Sequence, residues 1–276
     1  MSHDKLRIGF IGGGNMAQAI VGGLLQAGHV PSLISISEPQ ESARRRLAAL
    51  AGGLALGTDN AAVAGSADVL VLAVKPQVMS AVLPAIAAAS RPDGQLVVSV
   101  AAGIPIATLA AAFGSAAAIV RIMPNQPALV GAGMSVLAAR TGTGAACRAR
   151  AQYVAETTGK ALWIADESLM DAVTAVSGSG PAYFYLLMEV MEQTARELGL
   201  PADAAAAMVR QTALGAAISA GSVGADLAAL RASVTSPGGT TAAALAVMDQ
   251  ASLRETVRRA IVAARDRGAE LGRSVR

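Results

Sequence analysis

Side chains that could donate a proton are scarce in this sequence. Its 276 residues include two histidines, one near the N-terminus (His3) and one in the turn after the first helical pattern (His29). Lysine occurs only at Lys5, Lys75 and Lys160, so the sequence beyond residue 166 has neither lysine nor histidine. Enzymes that reduce a ketone or aldehyde place such a group, or a tyrosine, beside the carbonyl oxygen. The shortage therefore counts against carbonyl reduction.

Cysteine and charge are also rare. The single cysteine, Cys147, excludes an internal disulfide, and because no partner ligands accompany it we expect no metal site. Charged residues make up 15% of the chain and the net charge is +3. No basic cluster lies outside residues 44–46, which argues against nucleic-acid binding. A chain with so few charged residues has apolar surface that must be covered. Self-association would explain this composition, and an alanine-rich genome bias is the alternative.

No membrane or export segment is expected. The uncharged stretch 101–120 is mostly alanine, which contributes little to insertion, and Gly103, Pro105 and Gly114 interrupt it. The N-terminal residues are polar and lead directly into the first strand pattern, unlike a secretory signal. A cytoplasmic location is therefore predicted.

Apolar runs alternate with helical patterns up to about residue 165. Strands are predicted at 6–11, 33–37, 54–57, 68–74, 95–100, 117–123, 133–138 and 161–164, and helices at 16–27, 40–50, 78–88, 106–113 and 147–157. Uniformly apolar strands separated by helices indicate an α/β fold, a doubly wound, mostly parallel sheet of Rossmann type. Beyond it only helices are predicted, at 169–176, 182–198, 202–220, 226–234, 240–249 and 252–271. We expect a dinucleotide-binding domain over 1–165 and an all-α domain over 166–276.

A glycine fingerprint follows the first strand. In Gly12-x-Gly14-x-x-Ala17, the first glycine permits a tight turn and the second lets a pyrophosphate approach the backbone. Ala17 keeps the following helix close to the sheet, and the N-terminus of that helix attracts phosphate. The alternative is a glycine-rich structural turn. The cofactor-binding residues predicted here are Ile11, Gly12, Gly13, Gly14, Asn15, Met16 and Ala17.

The end of the second strand leaves the choice of cofactor open. Glu38 lies about 20 residues beyond Ala17, where an acid that binds the ribose hydroxyls of NAD is expected. Ser35, Ser37 and the arginines at 44–46 would instead hold the 2′-phosphate of NADP. Glu38 could also simply begin an ordinary turn. We therefore predict NADPH or NADH, with Ser37 and Glu38 as contacts.

Three further strand ends carry small residues, proline or glycine, and predict a shallow shelf for a flat ring. They lie at 73–76, 101–103 and 121–125. Lys75 either contacts the cofactor or is a solvated strand end. The cofactor contacts predicted on this shelf are Ala73, Val74, Lys75, Pro76, Ala102 and Gly103.

An imine substrate would remove the need for an acid on the protein. A cyclic imine is protonated near neutral pH and accepts hydride directly, so the site has only to orient the ring and bind any carboxylate. Segments 177–182 and 235–241 each precede a helix and are rich in Ser, Thr and Gly. Amides and the helix dipole there would bind a small anion, and hydroxyls would reach a ring nitrogen. Ordinary capped turns are the alternative.

These segments resemble those of the pyrroline-5-carboxylate reductases. The similarity covers essentially the whole chain: FIGGGNMA near the N-terminus, AVKPQ at 73–77, VSVAAGI at 98–104, RIMPNQP at 121–127, SGSGPAYF at 177–184 and TSPGGTT at 235–241. The resemblance implies reduction of 1-pyrroline-5-carboxylate to L-proline with NADPH or NADH. One departure is Gln126, where the family more often has threonine.

The resemblance also implies an assembly and residue roles. It implies a homodimer of interlocking helical domains, with a decamer as a further association, and an active site between one subunit's nucleotide domain and its partner's helices. Ser236, Gly238, Gly239 and Thr240 would bind the substrate carboxylate. Thr241 would be the catalytic contact to the imine nitrogen, and Asn60 would approach the nicotinamide ribose.

Two other functions remain to be weighed. A 3-hydroxyacid dehydrogenase of the 6-phosphogluconate type shares the two-domain plan, but such enzymes keep a lysine in the long helix of the second domain. A non-catalytic NAD(H)-binding module would not need the hydroxyl-rich segment 235–241. The sequence leaves open the preference between NADPH and NADH, tolerance of six-membered ring imines, the size of the oligomer and feedback inhibition by proline.

Overall fold

Strands and helices alternate through the first part of the chain, as the apolar runs predict. The computed structural model describes residues 5–91 and 94–274. Each of the eight predicted strands is present there, and the observed bounds are β1 Ile8–Ile11, β2 Ile34–Ser37, β3 Ala55–Gly57, β4 Val69–Leu72, β5 Leu96–Ser99, β6 Ala118–Met123, β7 Gly133–Ala139 and β8 Gly159–Trp163.

The strands form one sheet in the order β3-β2-β1-β4-β5-β6-β7-β8. Pairing is parallel from β3 through β6, antiparallel between β6 and β7, and parallel again between β7 and β8. The predicted mostly parallel, doubly wound sheet is thus confirmed. Because β1 lies between β2 and β4, the order of the strands reverses there. Ligands of open parallel sheets bind in the crevice at such a point, beyond the carboxyl ends of the strands.

Helices cover both faces of the sheet. They are α1 Asn15–Gln26, α2 Glu41–Ala48, α3 Asn60–Ser66, α4 Pro76–Ala89, α5 Ile106–Phe113, α6 Ala145–Glu156 and α7 Met170–Val173. Two apolar clusters result, one on each face, because alternate residues of a strand point to opposite sides. Phe10 lies in the first cluster and Ile11 in the second, and neither is exposed by more than 1%. Such strands must be apolar throughout.

Helix α3 is not among the helices predicted from the sequence. This helix has only seven residues and consists of Ala, Gly, Val, Asn and Ser, so it carries no contrast between an apolar and a polar face. Its N-terminus is nevertheless capped, since the carboxylate of Asp59 accepts hydrogen bonds from the amides of Ala61 and Ala62 at 2.9 and 3.0 Å. Asx capping of this kind stabilises a helix by about 1 kcal/mol.

The chain divides into two compact units. One comprises the chain up to Ser179 together with the residues from Ala264 onward, and the other is Gly180–Ala263. The second unit is helical and contains α8 Gly180–Glu197, α9 Ala202–Ala220, α10 Leu227–Ser233, α11 Thr240–Gln250 and the first half of α12 Leu253–Ser274. Within it, α8 packs against α9. Many of its large apolar side chains are exposed, and Phe184 and Ile218 are 69% and 65% exposed.

One predicted helix boundary differs in the structure. Instead of an interruption between residues 176 and 182, α7 continues into a π-helical turn over Thr174–Gly178, after which α8 begins. The amide of Ser179 donates to the carbonyl of Thr174 at 2.8 Å, the spacing of a π turn. Pro181 is the second residue of α8, as expected of a proline in a first turn. Glycine at 178 avoids a close contact with Met123, whose Cε would lie 2.7 Å from a Cβ at that position.

Candidate active site

In the glycine turn after β1, neighbouring protein atoms explain the glycine at two of the three positions. Gly12 has φ of 95°, and a Cβ there would lie 2.8 Å from the carbonyl oxygen of Ala73. A Cβ on Gly13 would lie 2.7 Å from Leu47 Cδ1. A Cβ on Gly14, by contrast, would meet no protein atom within 4 Å. Gly14 therefore borders open space, which fits a phosphate group drawn close to the backbone.

The N-terminus of α1 is suited to an anion. Gly14 is the N-cap of this 12-residue helix, and no side chain caps its first-turn amides. Such amides and the helix dipole together attract a phosphate. Ala17 is wholly buried against the sheet, as close packing of helix on strand requires. The turn thus fits the pyrophosphate of a dinucleotide in the way that the fingerprint predicts.

The two residues at the end of β2 are both turned inward. Glu38 is 8% exposed, and its Oε2 and Oε1 accept hydrogen bonds from the amides of Gly13 and Gln40 at 2.7 and 2.8 Å. Ser37 is 1% exposed, and within the described residues its hydroxyl oxygen has no hydrogen-bond partner. The carboxylate of Glu38 therefore belongs to the same turn as the fingerprint glycines.

The other predicted cofactor contacts follow neighbouring parallel strands and so lie along one edge of the sheet. Ala73 follows β4, and its amide donates to the carbonyl of Ile11 at 2.8 Å. Lys75 is exposed and is the N-cap of α4. Asn60 is the first residue of α3, just after β3. Ala102 is exposed beyond the end of β5. All of these residues therefore lie at the same edge of the sheet as the glycine turn.

Gly103 has a second neighbour that its sequence position did not suggest. Its φ is 75°, and a Cβ there would lie 3.6 Å from the Cα of Gly272 in α12. Two glycines thus meet where the end of α12 packs on the loop after β5. A Cβ at that distance would make an ordinary van der Waals contact, so the preference for glycine at 103 comes from its positive φ.

Two polar residues of β6 and its following loop were missed by sequence reasoning as structural anchors. Arg121 is buried, and its Nη1 lies 3.1 Å from Glu167 Oε1, which also accepts the amide of Ile106 at 2.8 Å. Asn125 donates from Nδ2 to the carbonyl of Ser177 at 3.2 Å. An arginine within an apolar strand was the available signal for the first. For Asn125 the sequence offers no comparable signal.

In the helical unit, the segment between α10 and α11 forms a tight turn. The amide of Gly239 donates to the carbonyl of Ser236 at 3.1 Å. Pro237 and Gly238 occupy the two central positions, and Gly238 has φ of 69°, as a type II turn requires. A Cβ on Gly239 would lie 2.5 Å from Ser236 Oγ. Only glycine allows the serine hydroxyl to lie over the start of α11.

The N-terminus of α11 resembles that of α1 in lacking a side-chain cap. Gly239 is the N-cap, and its neighbours Thr240 and Thr241 form the first turn. Ser236 and Thr240 are exposed, and Thr241 is half-buried. Amides and hydroxyls therefore line the segment, and it contains no ionisable side chain. Chemically, it can bind a small carboxylate and donate or accept a hydrogen bond, but it has no acid for a strong proton transfer.

The strongly shifted carboxyl group lies at the opposite edge of the sheet from the glycine turn. Hydrogen bonds from the Arg7 guanidinium hold the pKa of Asp68 well below its usual range, against an opposing effect of burial. Asp68 immediately precedes β4 and so lies at the amino edge of the sheet. Over the described ranges, no three His, Cys, Asp or Glu side chains gather in a group that could hold a metal ion. In those ranges, too, no helix combines the length and hydropathy needed to traverse a bilayer.

Known proteins resemble the chain along nearly its whole length. Residues 167–271 match a family model described as pyrroline-5-carboxylate reductase dimerisation, and residues 7–103 match one described as NADP oxidoreductase, coenzyme F420-dependent. The pyrroline-5-carboxylate reductase of Pseudomonas aeruginosa is 46% identical over 267 residues, which cover 96% of this chain and 96% of the relative.

Solved structures agree with the sequence relatives. A pyrroline-5-carboxylate reductase from Coxiella burnetii is similar with a TM-score of 0.90 at 36% identity, covering 96% of this chain and 98% of that one. The pyrroline carboxylate reductase of Plasmodium falciparum, solved with NADP bound, has a TM-score of 0.86 at 28% identity and covers 98% and 99%. The similarity thus includes both the sheet and the helical part.

Proposed function

The chain belongs to the pyrroline-5-carboxylate reductase family, and from this premise we propose that it reduces 1-pyrroline-5-carboxylate to L-proline with NADPH or NADH. The observation that carries the proposal is the turn at 235–241, where amides and hydroxyls converge without any acid. These are the hydrogen-bonding groups that a substrate with a carboxylate and a protonated ring nitrogen requires. The similarity to this family extends over both the sheet and the helical part of the chain, because the relatives match 96% of its length.

In the proposed mechanism the protein binds and aligns the ring. The carboxylate binds at the N-terminus of α11. It is held there by Ser236, Gly238, Gly239 and Thr240. The hydroxyl of Thr241 accepts a hydrogen bond from the ring N–H of the iminium. When bound, the reduced nicotinamide supplies the hydride, which adds to the carbon of C=N while the electron pair of the broken π bond moves to nitrogen. The product is the amine, so the protein need not donate a proton during this step.

Cofactor contacts are proposed along the carboxyl edge of the sheet. Amides at the start of α1 hold the pyrophosphate beside Gly14, and Asn60 and Lys75 border the crevice. The full proposed set is Ile11, Gly12, Gly13, Gly14, Asn15, Met16, Ala17, Ser37, Glu38, Asn60, Ala73, Val74, Lys75, Pro76, Ala102 and Gly103. A fixed geometry and exclusion of water supply the rate enhancement.

We propose that residues 1–165 bind the dinucleotide and that residues 166–276 bind substrate and dimerise. The match of residues 167–271 to a dimerisation model supports the second part. So do exposed apolar side chains of α8 such as Phe184 and Leu186, since a contiguous exposed apolar surface indicates a protein interface. We further propose an active site shared between one subunit's nucleotide domain and its partner's helices, association to a decamer, and a cytoplasmic location.

Neither alternative function gains support. A 3-hydroxyacid dehydrogenase would need a lysine in the helical domain, and residues 166–276 contain none. A non-catalytic NAD(H)-binding module would leave the uncapped, hydroxyl-rich turn at 235–241 without a purpose.

The test of the activity follows NADPH and NADH absorbance with and without 1-pyrroline-5-carboxylate. The proposal expects oxidation only with the imine, and one proline formed for each cofactor oxidised. Cofactor oxidation that does not depend on the imine, or no oxidation at all, would contradict it.

The shared site is tested with hybrid dimers. Gly14→Val and Thr241→Val subunits, each defective alone, are co-expressed with different tags and the hybrid is purified. If partners share sites, one of the two sites in each hybrid has neither substitution, and activity returns to about half that of the wild type by the symmetry of a C2 dimer. If each site lies within one subunit, the hybrid remains as defective as its parents.

A further inference from the structure

Both carboxylate oxygens of Glu38 are held by backbone hydrogen bonds. Its Oε2 accepts the amide of Gly13 at 2.7 Å and its Oε1 accepts that of Gln40 at 2.8 Å. Its aliphatic part is also enclosed, since a Cβ on Gly13 would lie 3.0 Å from Glu38 Cβ and 3.1 Å from its Cγ. Rotating the carboxylate away would therefore leave the buried amide of Gly13 without its acceptor, which is unfavourable.

Each oxygen of this carboxylate still has acceptor capacity. A carboxylate oxygen carries two lone pairs, and each here accepts one hydrogen bond from the backbone. The group lies directly after β2, the position from which an acid accepts the ribose 2′-hydroxyl in dinucleotide folds. A hydroxyl can donate to it there, whereas a 2′-phosphate would bring a second anion against a carboxylate that cannot move.

Two of the three arginines that would favour a 2′-phosphate already donate to acceptors on the protein. Arg44 donates from Nη1 to the carbonyls of Glu38 and Pro39 at 2.6 and 2.8 Å. Arg45 pairs with Glu41 at 2.6 Å.

The two serines of β2 are not available either. Ser35 lies within the strand, in register with Gly9 of β1 rather than at its carboxyl end. Ser37 is 1% exposed, so its hydroxyl does not reach the surface of the crevice.

We infer that Glu38 makes this chain select NADH over NADPH. The inference rests on the proposed function only in taking a nicotinamide dinucleotide as the cofactor, and it ranks the two cofactors without excluding NADPH. Discrimination arises because the fixed carboxylate accepts the 2′-hydroxyl and repels the 2′-phosphate. Like charges brought together at a binding surface disfavour the wrong partner strongly.

The test measures dissociation constants for NADH and NADPH by calorimetry, on the purified full chain and without imine. For the wild type we expect NADPH to bind about tenfold more weakly or worse, the size of effect that one misplaced charge produces. In Glu38→Ser the preference should fall by about tenfold, with NADPH binding more tightly and NADH more weakly. Glu41→Gln is the matched control, because it removes a negative charge from an exposed residue nearby, and its preference should stay within about twofold of the wild type.

The possible results distinguish failure of the cofactor preference from failure of the proposed function. Wild-type protein that binds NADPH as tightly as NADH would overturn the inference, even if Glu38→Ser does not fold. An unchanged preference in folded Glu38→Ser would overturn it as well, and so would an equal change in Glu41→Gln. If neither dinucleotide binds, the proposed function fails too. If both bind without preference, only the selectivity is wrong.

Discussion

Asn125 connects the loop after β6 to the π turn before α8 through Ser177. Its Nδ2 donates to the carbonyl of Ser177 at 3.2 Å, while its Oδ1 accepts the amide of Met134 at 2.9 Å. One side chain thus bonds to two backbone groups from different parts of the first compact unit. Because such groups become unpaired when their partner is removed, Asn125→Ala should lower the free energy of unfolding by about 1–3 kcal/mol. Urea denaturation measures the change.

Asn125→Asp separates the two bonds of that side chain. The aspartate keeps an acceptor for the Met134 amide but loses the donor to Ser177. We expect it to be destabilised, because it places a carboxylate oxygen against a carbonyl oxygen. If both variants are as stable as the wild type, the contact between Asn125 and Ser177 does not hold the π turn.

The open space over Gly14 predicts a variant that folds but does not bind cofactor. In Gly14→Val the added Cβ would meet no protein atom within 4 Å, so the melting temperature should change little. It would occupy the approach of the pyrophosphate, and binding of NADH and NADPH should weaken about 100-fold or more. Calorimetric titration measures this loss.

Gly13→Ala is the contrasting variant. Its added methyl group would lie 2.7 Å from Leu47 Cδ1 and 3.0 Å from Glu38 Cβ, so stability itself should fall. Normal cofactor binding by Gly14→Val would contradict the assigned geometry of the turn.

Removing the hydroxyl of Thr241 should slow turnover without affecting the cofactor. Thr241→Val keeps the shape of the side chain, and the lost hydrogen bond to the charged ring nitrogen should lower kcat about 10- to 100-fold. The dissociation constant of NADH or NADPH should remain nearly unchanged. Thr241→Ser retains the hydroxyl and should keep most of the activity. An unchanged rate in Thr241→Val would remove this residue from the mechanism.

Asp68 predicts a pH dependence of stability. Arg7 contributes two guanidinium hydrogen bonds, at 2.8 and 3.2 Å, that lower the pKa of Asp68 in the folded protein. A carboxyl whose pKa is lowered by folding stabilises the protein above its unfolded pKa, and this contribution is lost as pH falls toward the folded value. Asp68→Asn should therefore be less stable than the wild type at pH 7. The difference should narrow below about pH 4, near the unfolded pKa of aspartate.

Urea denaturation from pH 7 to pH 3 measures this narrowing. Glu255→Gln is the control, because Arg258 lowers the pKa of the Glu255 carboxyl but the pair lies at the exposed surface. Such a surface pair contributes little, so the variant should follow the wild type across the range. A constant difference for Asp68→Asn would show that its ion pair with Arg7 is not responsible.

The sequence predicts the sheet well for a clear physical reason. Strands covered on both faces must be apolar throughout, so runs such as β1 and β4 stand out from the helical patterns between them. The short helix α3 lacks that contrast. The π turn at Thr174–Gly178 depends on i to i+5 hydrogen bonds and on a donor from Asn125, which is distant in sequence. Neither the π turn nor its contact with Asn125 can be recognised from a local sequence pattern.

The site residues divide in the same way. Gly12 and Gly14 could be recognised because a tight turn and an anion each restrict the backbone. The position of Glu38 at the end of β2 could also be predicted from the sequence, but its hydrogen bonds could not. That its carboxylate folds back onto the amide of Gly13 depends on packing between the ends of β1 and β2. The choice between cofactors therefore stays open at the level of sequence.

The central claim is that the substrate carries its own positive charge, so that the protein aligns it without supplying an acid. The most direct measurement compares kcat/KM for 1-pyrroline-5-carboxylate with that for open-chain 2-oxo acids, using one preparation and one cofactor. The account predicts rapid reduction of the cyclic imine and almost none of the oxo acids. Rapid turnover of the oxo acids together with inactivity toward the imine would contradict it.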